Sequence, residues 1–370
     1  MSENLTKYSP GLDGVIAGES AICSVDDTHG LRYYGYSIET LAPKVPFEDV
    51  AWLLLHGNLP TEAERKQFSK ELAENAGVDG ITWVLKSLPR RMREMDRLRT
   101  GVSAVAAFDP DVGKYDHEAN LRKSTRIISR MTTITTTGWR IGKGMEAVTG
   151  SAANLSLAGR FLLGVEGTKP EPWRVRVLDT VFNLYAEHEF NASTFGARVT
   201  ASTLADMYSA IVAAIGALEG PLHGGANEQA ETMLREIGSP EKAEAWVKDR
   251  LAKREKIMGF GHRVYKHGDS RVPVMRTLLE EVGKRVGQEQ RLAICRELDR
   301  VMEKEKGLFA NLDLYAAPVL ALMGIPSELN TPLFACARVA GWCAHITEQQ
   351  DKNRIIRPRS LYTGPAMRDA

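Results

Sequence analysis

The sequence predicts an all-α chain with one minor β-hairpin near its N-terminus, and three observations carry that expectation. Helix start and stop signals recur along the chain, apolar residues fall at helical spacing, and strand-like patterning is confined to one short segment. That segment runs from Ala21 to Tyr36, where β-formers flank the polar turn Asp26-Asp-Thr-His-Gly30 and read as a hairpin. Gly57 and Pro60 then stop one helix. Thr61-Glu-Ala-Glu64 starts the next as a capping box, in which the threonine hydroxyl and the glutamate carboxylate each satisfy a first-turn N–H. Ser239-Pro240 and Thr331-Pro332 read as N-cap residues followed by proline at the first helical position, where no intrahelical N–H bond is lost. From Thr200 to Leu218, Leu204, Tyr208, Ile211, Ile215 and Leu218 follow helical spacing, while Ala210, Ala213, Ala214, Gly216 and Ala217 keep the other faces small. Such a helix belongs either in the core or against a second subunit.

Between Gly238 and Leu322 the composition shifts to charged amphipathic helices, with glycine and proline marking both ends. The expectation is a large helical domain made of residues 1–224 and 327–370, with a small helical domain, 225–326, inserted in it. His223 lies close to one junction and Asp313 close to the other, so a cleft between the two units would bring them together.

Bulk properties narrow the function. A chain of 370 residues, 43% hydrophobic and 26% charged, can bury a substantial core. A formal charge of +1 gives no global footprint for nucleic acid or an anionic membrane, so an anionic ligand must be met by local arginines. Four cysteines, Cys23, Cys295, Cys336 and Cys343, form no disulfide framework and no C-x-x-C pair, and read as small buried hydrophobes. Residues 1–7 have neither the basic start nor the apolar run of a signal peptide. The apolar stretch from Met207 to Leu218 falls short of the about 20 residues that span a bilayer. The expectation is a cytoplasmic protein.

The chemistry concentrates in a few short segments. His223 sits in Gly220-Pro-Leu-His-Gly-Gly-Ala-Asn227, just before a helix-forming run. There the positive end of the helix dipole disfavours imidazolium, and a neutral imidazole can donate a hydrogen bond to a substrate carbonyl. The alternative is a turn histidine satisfied by backbone. His262 follows Gly259-Phe-Gly261, whose bare backbone can lie against a flat or phosphorylated ligand, and it neighbours Arg263, Lys266 and Arg271. Either an anionic ligand accounts for these cations or the loop is simply a solvated basic one. Gly259 and Gly261 do not make a dinucleotide fingerprint, because Val264 occupies the third glycine position and no strand precedes. Asp313 lies in an otherwise apolar stretch, where desolvation strengthens a carboxylate base; otherwise it caps the helix that follows. Arg338 is the one formally charged residue between Pro332 and Ile346, with no acidic neighbour one turn away. Buried, it requires either a distant carboxylate or a substrate carboxylate as partner. The basic, proline-interrupted run Arg354 to Gly364 reads as an extended arm.

Five ordered segments together resemble the citrate synthase family over nearly the whole chain: Ala186-Glu-His-Glu-Phe-Asn-Ala-Ser-Thr-Phe195, Gly220 to Asn227, Gly259-Phe-Gly-His-Arg-Val-Tyr265 through Arg271, Asn311-Leu-Asp313, and Arg357-Pro-Arg-Ser360. The resemblance implies an all-α homodimer whose two domains close over oxaloacetate and acetyl-CoA. It implies that Asp313 takes a proton from the acetyl methyl group, that neutral His223 hydrogen-bonds the thioester oxygen, and that His262 polarises the ketone of oxaloacetate. It assigns the oxaloacetate carboxylates to His188, Arg271, Arg338 and, from the partner subunit, Arg357. The CoA adenine loop maps onto Lys256, Ile257, Met258, Gly259, Phe260 and Gly261, with Asn311 beside it. The same likeness assigns the small-residue helix before Gly220 to the dimer interface, and it implies no metal or redox cofactor, acetyl-CoA being a substrate. The run Arg90 to Arg99 departs from the family pattern and is left out of the site. The tail Arg357-Pro-Arg-Ser-Leu-Tyr362 resembles the citrate branch more than the 2-methylcitrate branch, which uses propionyl-CoA with the same catalytic residues. A zinc hydrolase site built from His188, His223, His262 and Asp313 lacks any short ligand pair. A non-enzymatic anion-binding protein is the third reading.

Overall fold

The computed structural model describes residues 8–148, 155–224, 226–261, 265 and 268–369, with backbone alone for 226–228. His262 lies outside the described residues.

The hairpin forms as the sequence predicts. β1 (Cys23–Asp26) pairs antiparallel with β2 (Gly30–Tyr33), with Cys23 opposite Tyr33 and Asp26 opposite Gly30, and a short β3 (Tyr36–Ser37) extends the sheet. Gly30 has φ +66°, and a Cβ there would lie 2.6 Å from Ser270 Cβ, so both conformation and contact require glycine. The Leu31 N–H donates to Ser270 Oγ at 3.0 Å, which docks the hairpin beside Arg271.

Helices make up the rest. In chain order they are α1 (Ile38–Leu41), α2 (Phe47–His56), α3 (Glu62–Glu74), α4 (Asp79–Ser87), α5 (Glu94–Val105), α6 (His117–Gly142), α7 (Leu157–Glu166), α8 (Pro172–Tyr185), α9 (Ala192–Ser202), α10 (Met207–Leu218), α11 (Ala226–Ile237), α12 (Pro240–Ala252), α13 (Val272–Val286), α14 (Gln290–Lys306), α15 (Leu312–Leu322) and α16 (Asn330–Asp351). Gly57 ends α2 in the left-handed conformation, and Thr61 with Glu64 forms the expected capping box on α3. Ser239 precedes α12 with Pro240 at its first position, although the serine side chain makes no cap hydrogen bond.

Two boundaries differ from the sequence reading. The helix expected from Thr200 to Leu218 is broken, because Asp206 caps α10 by accepting the Ser209 N–H at 3.0 Å. Leu204 therefore lies in the connection with φ +61° and is half exposed, not on the apolar face. Thr331-Pro332 does not open α16; a 3-10 turn over Ser327–Leu329 leads straight into Asn330, so Pro332 falls within the first turn, where its missing N–H still costs nothing.

α16 is the axis of the molecule. Every residue in it except Glu348 and Asp351 is buried, and it packs against α2, α6, α8, α9 and α10. α10 packs its apolar side on α5, α9 and α16, whereas Ser209 and Gly216 on its other side are exposed. α11 to α15 pack chiefly on one another, with α13 and α11 both against α15. Pro318 inside α15 cannot donate to the Leu314 carbonyl; Cys295 Sγ supplies a contact to that oxygen at 3.5 Å. All four cysteines are free and buried, as expected. After α16 the chain has no regular structure and is mostly exposed. The Ile356 N–H ties this arm to Ser202 Oγ, at the end of α9.

Candidate active site

Several of the predicted side chains are delivered by the ends of helices, whereas Arg338 projects from the middle of α16. α8 stops at Tyr185, and the chain turns through Glu189, at φ +54°, before Asn191 caps α9. This turn carries His188, which is 7% exposed and stands edge-on to Tyr265 with ring centroids 5.6 Å apart. After α10, the His223 N–H donates to Gly220 O and the Gly224 N–H to Leu218 O, both at 2.9 Å. A Cβ at Gly224 would approach Leu218 O to 2.7 Å, so this tight return needs glycine.

His223 Nε2 lies 2.9 Å from Ser193 Oγ and accepts the Ser193 backbone N–H at 3.4 Å. The tautomer that accepts this backbone N–H carries the ring proton on Nδ1. Trp342 Nε1 donates to the same Ser193 Oγ at 3.2 Å and fixes its place. Burial and, behind it, the positive charge of Arg338 push the His223 imidazole down to about 4, so it is neutral at pH 7. The sequence expects a neutral imidazole through the helix dipole; the causes in the structure are desolvation and an arginine.

Asp313 does not cap α15. Asn311 does, its side chain accepting the Asp313 N–H at 3.1 Å, and Tyr185 Oη donates to Asp313 Oδ1 at 3.2 Å. The proposed adenine loop is zipped to the same helix start: the Asn311 N–H donates to Gly259 O and the Gly261 N–H to Phe309 O, each at 2.9 Å, around a Phe260–Ala310 bridge. Gly259, at φ +83°, would place a Cβ 2.9 Å from Leu314 Cβ, so the zipper tolerates no side chain there.

The two arginines are built differently. Arg271, at the head of α13, is held by Asp269 through Nε–Oδ1 at 2.9 Å and Nη2–Oδ2 at 2.7 Å. Burial alone would lower its basicity, but Asp269 outweighs burial and raises it. The Leu312 N–H also donates to Asp269 Oδ2 at 3.2 Å, which couples this arginine to the helix bearing Asp313. Arg338 is 1% exposed, donates through Nε to Tyr185 O at 2.6 Å, and lies over the Phe334 ring at 4.8 Å. Among the described residues it has no acidic group within ion-pair distance.

His188, His223, Arg271, Asp313 and Arg338 all line one cavity of about 1190 Å³, together with Lys256 to Gly261 and Asn311. Arg357 is exposed on the arm and does not line it. The sequence reading missed the segment from Gly11 to Gly18, which forms another wall; Gly11, Gly14 and Gly18 were its one visible signal. It also missed Tyr185, Ser193 and Trp342, whose partners are distant in sequence. The Arg90 to Arg99 run is occupied elsewhere, with Arg93 and Arg99 paired to Asp96 and Glu219. No group of three or more potential metal-ligating side chains occurs among the described residues. No described helix is long and apolar enough to cross a membrane.

The family model for the citrate synthase C-terminal domain matches residues 11–359. The chain belongs to the citrate synthase family. Citrate synthase 2 of Bacillus subtilis (strain 168) is 42% identical over 358 residues, covering 96% of this chain and 95% of that protein. A 2-methylcitrate synthase of Mycobacterium tuberculosis (strain H37Rv) is 43% identical over 360 residues, covering 97% of this chain and 91% of that one. Among solved structures, the ternary complex of carboxymethyl coenzyme A and oxaloacetate with citrate synthase from Thermoplasma acidophilum superimposes with a TM-score of 0.90 at 34% identity, covering 98% of both chains. The all-α citrate synthase fold expected from the sequence is therefore the fold observed.

Proposed function

We propose that this protein condenses acetyl-CoA with oxaloacetate and water to give citrate and CoA. The observation that carries the reading is a His223 held neutral by desolvation, in the same cavity as Asp313 and two buried arginines. Asp313 removes a proton from the acetyl methyl group, and the electron pair moves into an enol or enolate whose oxygen accepts a hydrogen bond from His223 Nδ1–H. The enol carbon then attacks the ketone carbon of oxaloacetate, forming citryl-CoA, which water hydrolyses to release the thiol. His262, outside the described residues, takes the ketone-polarising role by family likeness. His188, Arg271 and Arg338 hold the oxaloacetate carboxylates, with Arg357 reaching in from a partner subunit. The solved ternary complex of the Thermoplasma protein supports a CoA thioether and oxaloacetate as ligands of this fold.

The same reading includes a two-domain, homodimeric and cytoplasmic enzyme. The domain proposal divides the chain at 225–326, in keeping with the mutual packing of α11 to α15. The exposed Ser209 and Gly216 side of α10 is the proposed dimer contact, and the arm after α16 would carry Arg357 across it. A second reading, 2-methylcitrate synthesis from propionyl-CoA, is favoured by relatives of that name at 43% identity. Thiol release with oxaloacetate and each acyl-CoA tests both. We expect a higher kcat/KM for acetyl-CoA; one methylene is worth about 10–200-fold in such a pocket. A propionyl preference selects the second reading, and no thiol release from either defeats both.

A further inference from the structure

The charge on Arg338 requires an explanation that the active-site contacts do not supply. Its guanidinium is buried, its Nη1 has no hydrogen-bond partner among the described residues, and no carboxylate is within ion-pair distance. An isolated buried cation is strongly unfavourable unless an opposite charge offsets it. Arg271, by contrast, has Asp269 as a two-point partner.

Behind Arg338 lies Glu187, 0% exposed, whose Oε2 also lacks a hydrogen-bond partner among the described residues. Burial lowers the basicity of Arg338, and Glu187 is the leading influence that opposes this. α16 makes room for the carboxylate: a Cβ on Gly341, one turn beyond Arg338, would collide with Glu187 Oε2. One further turn on, His345 Nε2 meets Glu187 Oε1 at 2.9 Å. Its Nδ1 faces Arg198 Nη1, also at 2.9 Å. A guanidinium N–H can only donate, so Nδ1 accepts and the His345 proton is on Nε2, directed at Glu187. Arg198 is in turn fixed by Glu348, at 2.6 Å, whose other oxygen accepts the Ala21 N–H at 2.8 Å.

We propose that Glu187, oriented by His345, is the resident counter-charge of Arg338 and a positioning residue for the anionic substrate. It neutralises the guanidinium from beyond hydrogen-bond distance, so the empty pocket is stable while Nη1 is kept for an incoming carboxylate. The same negative charge then weakens binding of that carboxylate, which favours turnover over tight retention. This inference rests on the proposed oxaloacetate role of the cavity.

The test is calorimetric titration of oxaloacetate into the full-length protein and its Glu187→Gln variant, with thermal melting of each with and without ligand. The variant should melt lower when empty, bind oxaloacetate about tenfold more tightly, and gain more from ligand than the wild type. A merely structural role would lower both stability and affinity, so equal or weaker binding in a cooperatively melting variant overturns the inference. Should Glu187→Gln not fold, His345→Phe decides the matter: removing the N–H donor should also tighten binding, and His345→Gln, which restores a donor, should move affinity back toward the wild type. Weaker binding in His345→Phe overturns it equally. Failure of the wild type itself to bind oxaloacetate would defeat the proposed function instead.

Discussion

Lowering the pH from about 8 to about 4 asks the partly buried His223 imidazole to accept a proton that the unfolded chain takes up readily. Burial and Arg338 hold the native group down to about 4, against an ordinary value of 6.5. At about 1.4 kcal/mol per pH unit, that gap is worth about 3 kcal/mol of folding free energy. The sign follows from proton uptake: between the two values the unfolded state binds the proton and the native state does not, so acid favours unfolding. This contribution is complete above 6.5 and is lost as pH falls toward 4. Urea unfolding of wild type and His223→Gln across this range isolates it, because glutamine does not titrate. The wild type should lose about 3 kcal/mol more than the variant between neutral pH and pH 4. Parallel stability curves for the two proteins would refute the claim that His223 is held neutral, and with it the Nδ1–H donor role.

Four further substitutions probe the rest of the site. Asp313→Ala should reduce thiol release by about 10²–10⁴-fold or more while oxaloacetate binding by calorimetry stays near normal, since Asn311 rather than Asp313 caps α15; near-normal turnover would remove the base assignment. Arg271→Ala leaves Asp269 buried without its guanidinium and should cost about 3–5 kcal/mol in urea unfolding, more than Arg338→Ala, which breaks no hydrogen-bonded ion pair among the described residues. Equal losses would contradict the different partnering of the two arginines. Gly341→Ala drives a methyl into Glu187 Oε2 and to 2.5 Å from Ala186 O, and should destabilise by about 1–3 kcal/mol or more, read as a lowered Tm. An unchanged Tm would mean that the slot for Glu187 is not tight.

Local signals were legible and long-range ones were not. The hairpin, the Thr61 capping box and the Gly57 stop depend on residues within a few positions, and each formed as read. The break before α10 was also written locally, in Asp206, but apolar spacing through Leu204 hid it. The cavity residues stood out because glycine turns and isolated charges are unusual in helical sequence. Their supports did not: Ser193 with Trp342, Glu187 with His345 and Gly30 with Ser270 are each joined across more than a hundred residues, and nothing in one sequence pairs them. The Gly11 to Gly18 wall was hidden for the same reason, since its glycines have no local period to betray a cavity.

Because α16 is encased along nearly its full length, its residues act as marks on a fixed rule: Arg338 meets the Tyr185 carbonyl, Gly341 and His345 the Glu187 carboxylate, and Trp342 the Ser193 hydroxyl. Inserting or deleting one residue within it would turn everything downstream by about 100° and shift it by about 1.5 Å. The guanidinium, the carboxylate slot and the serine that orients His223 would fall out of step together. Length changes in this chain therefore belong in the connections on either side of α16, and a single-residue insertion after Ala340 should cost more activity than any one substitution along it.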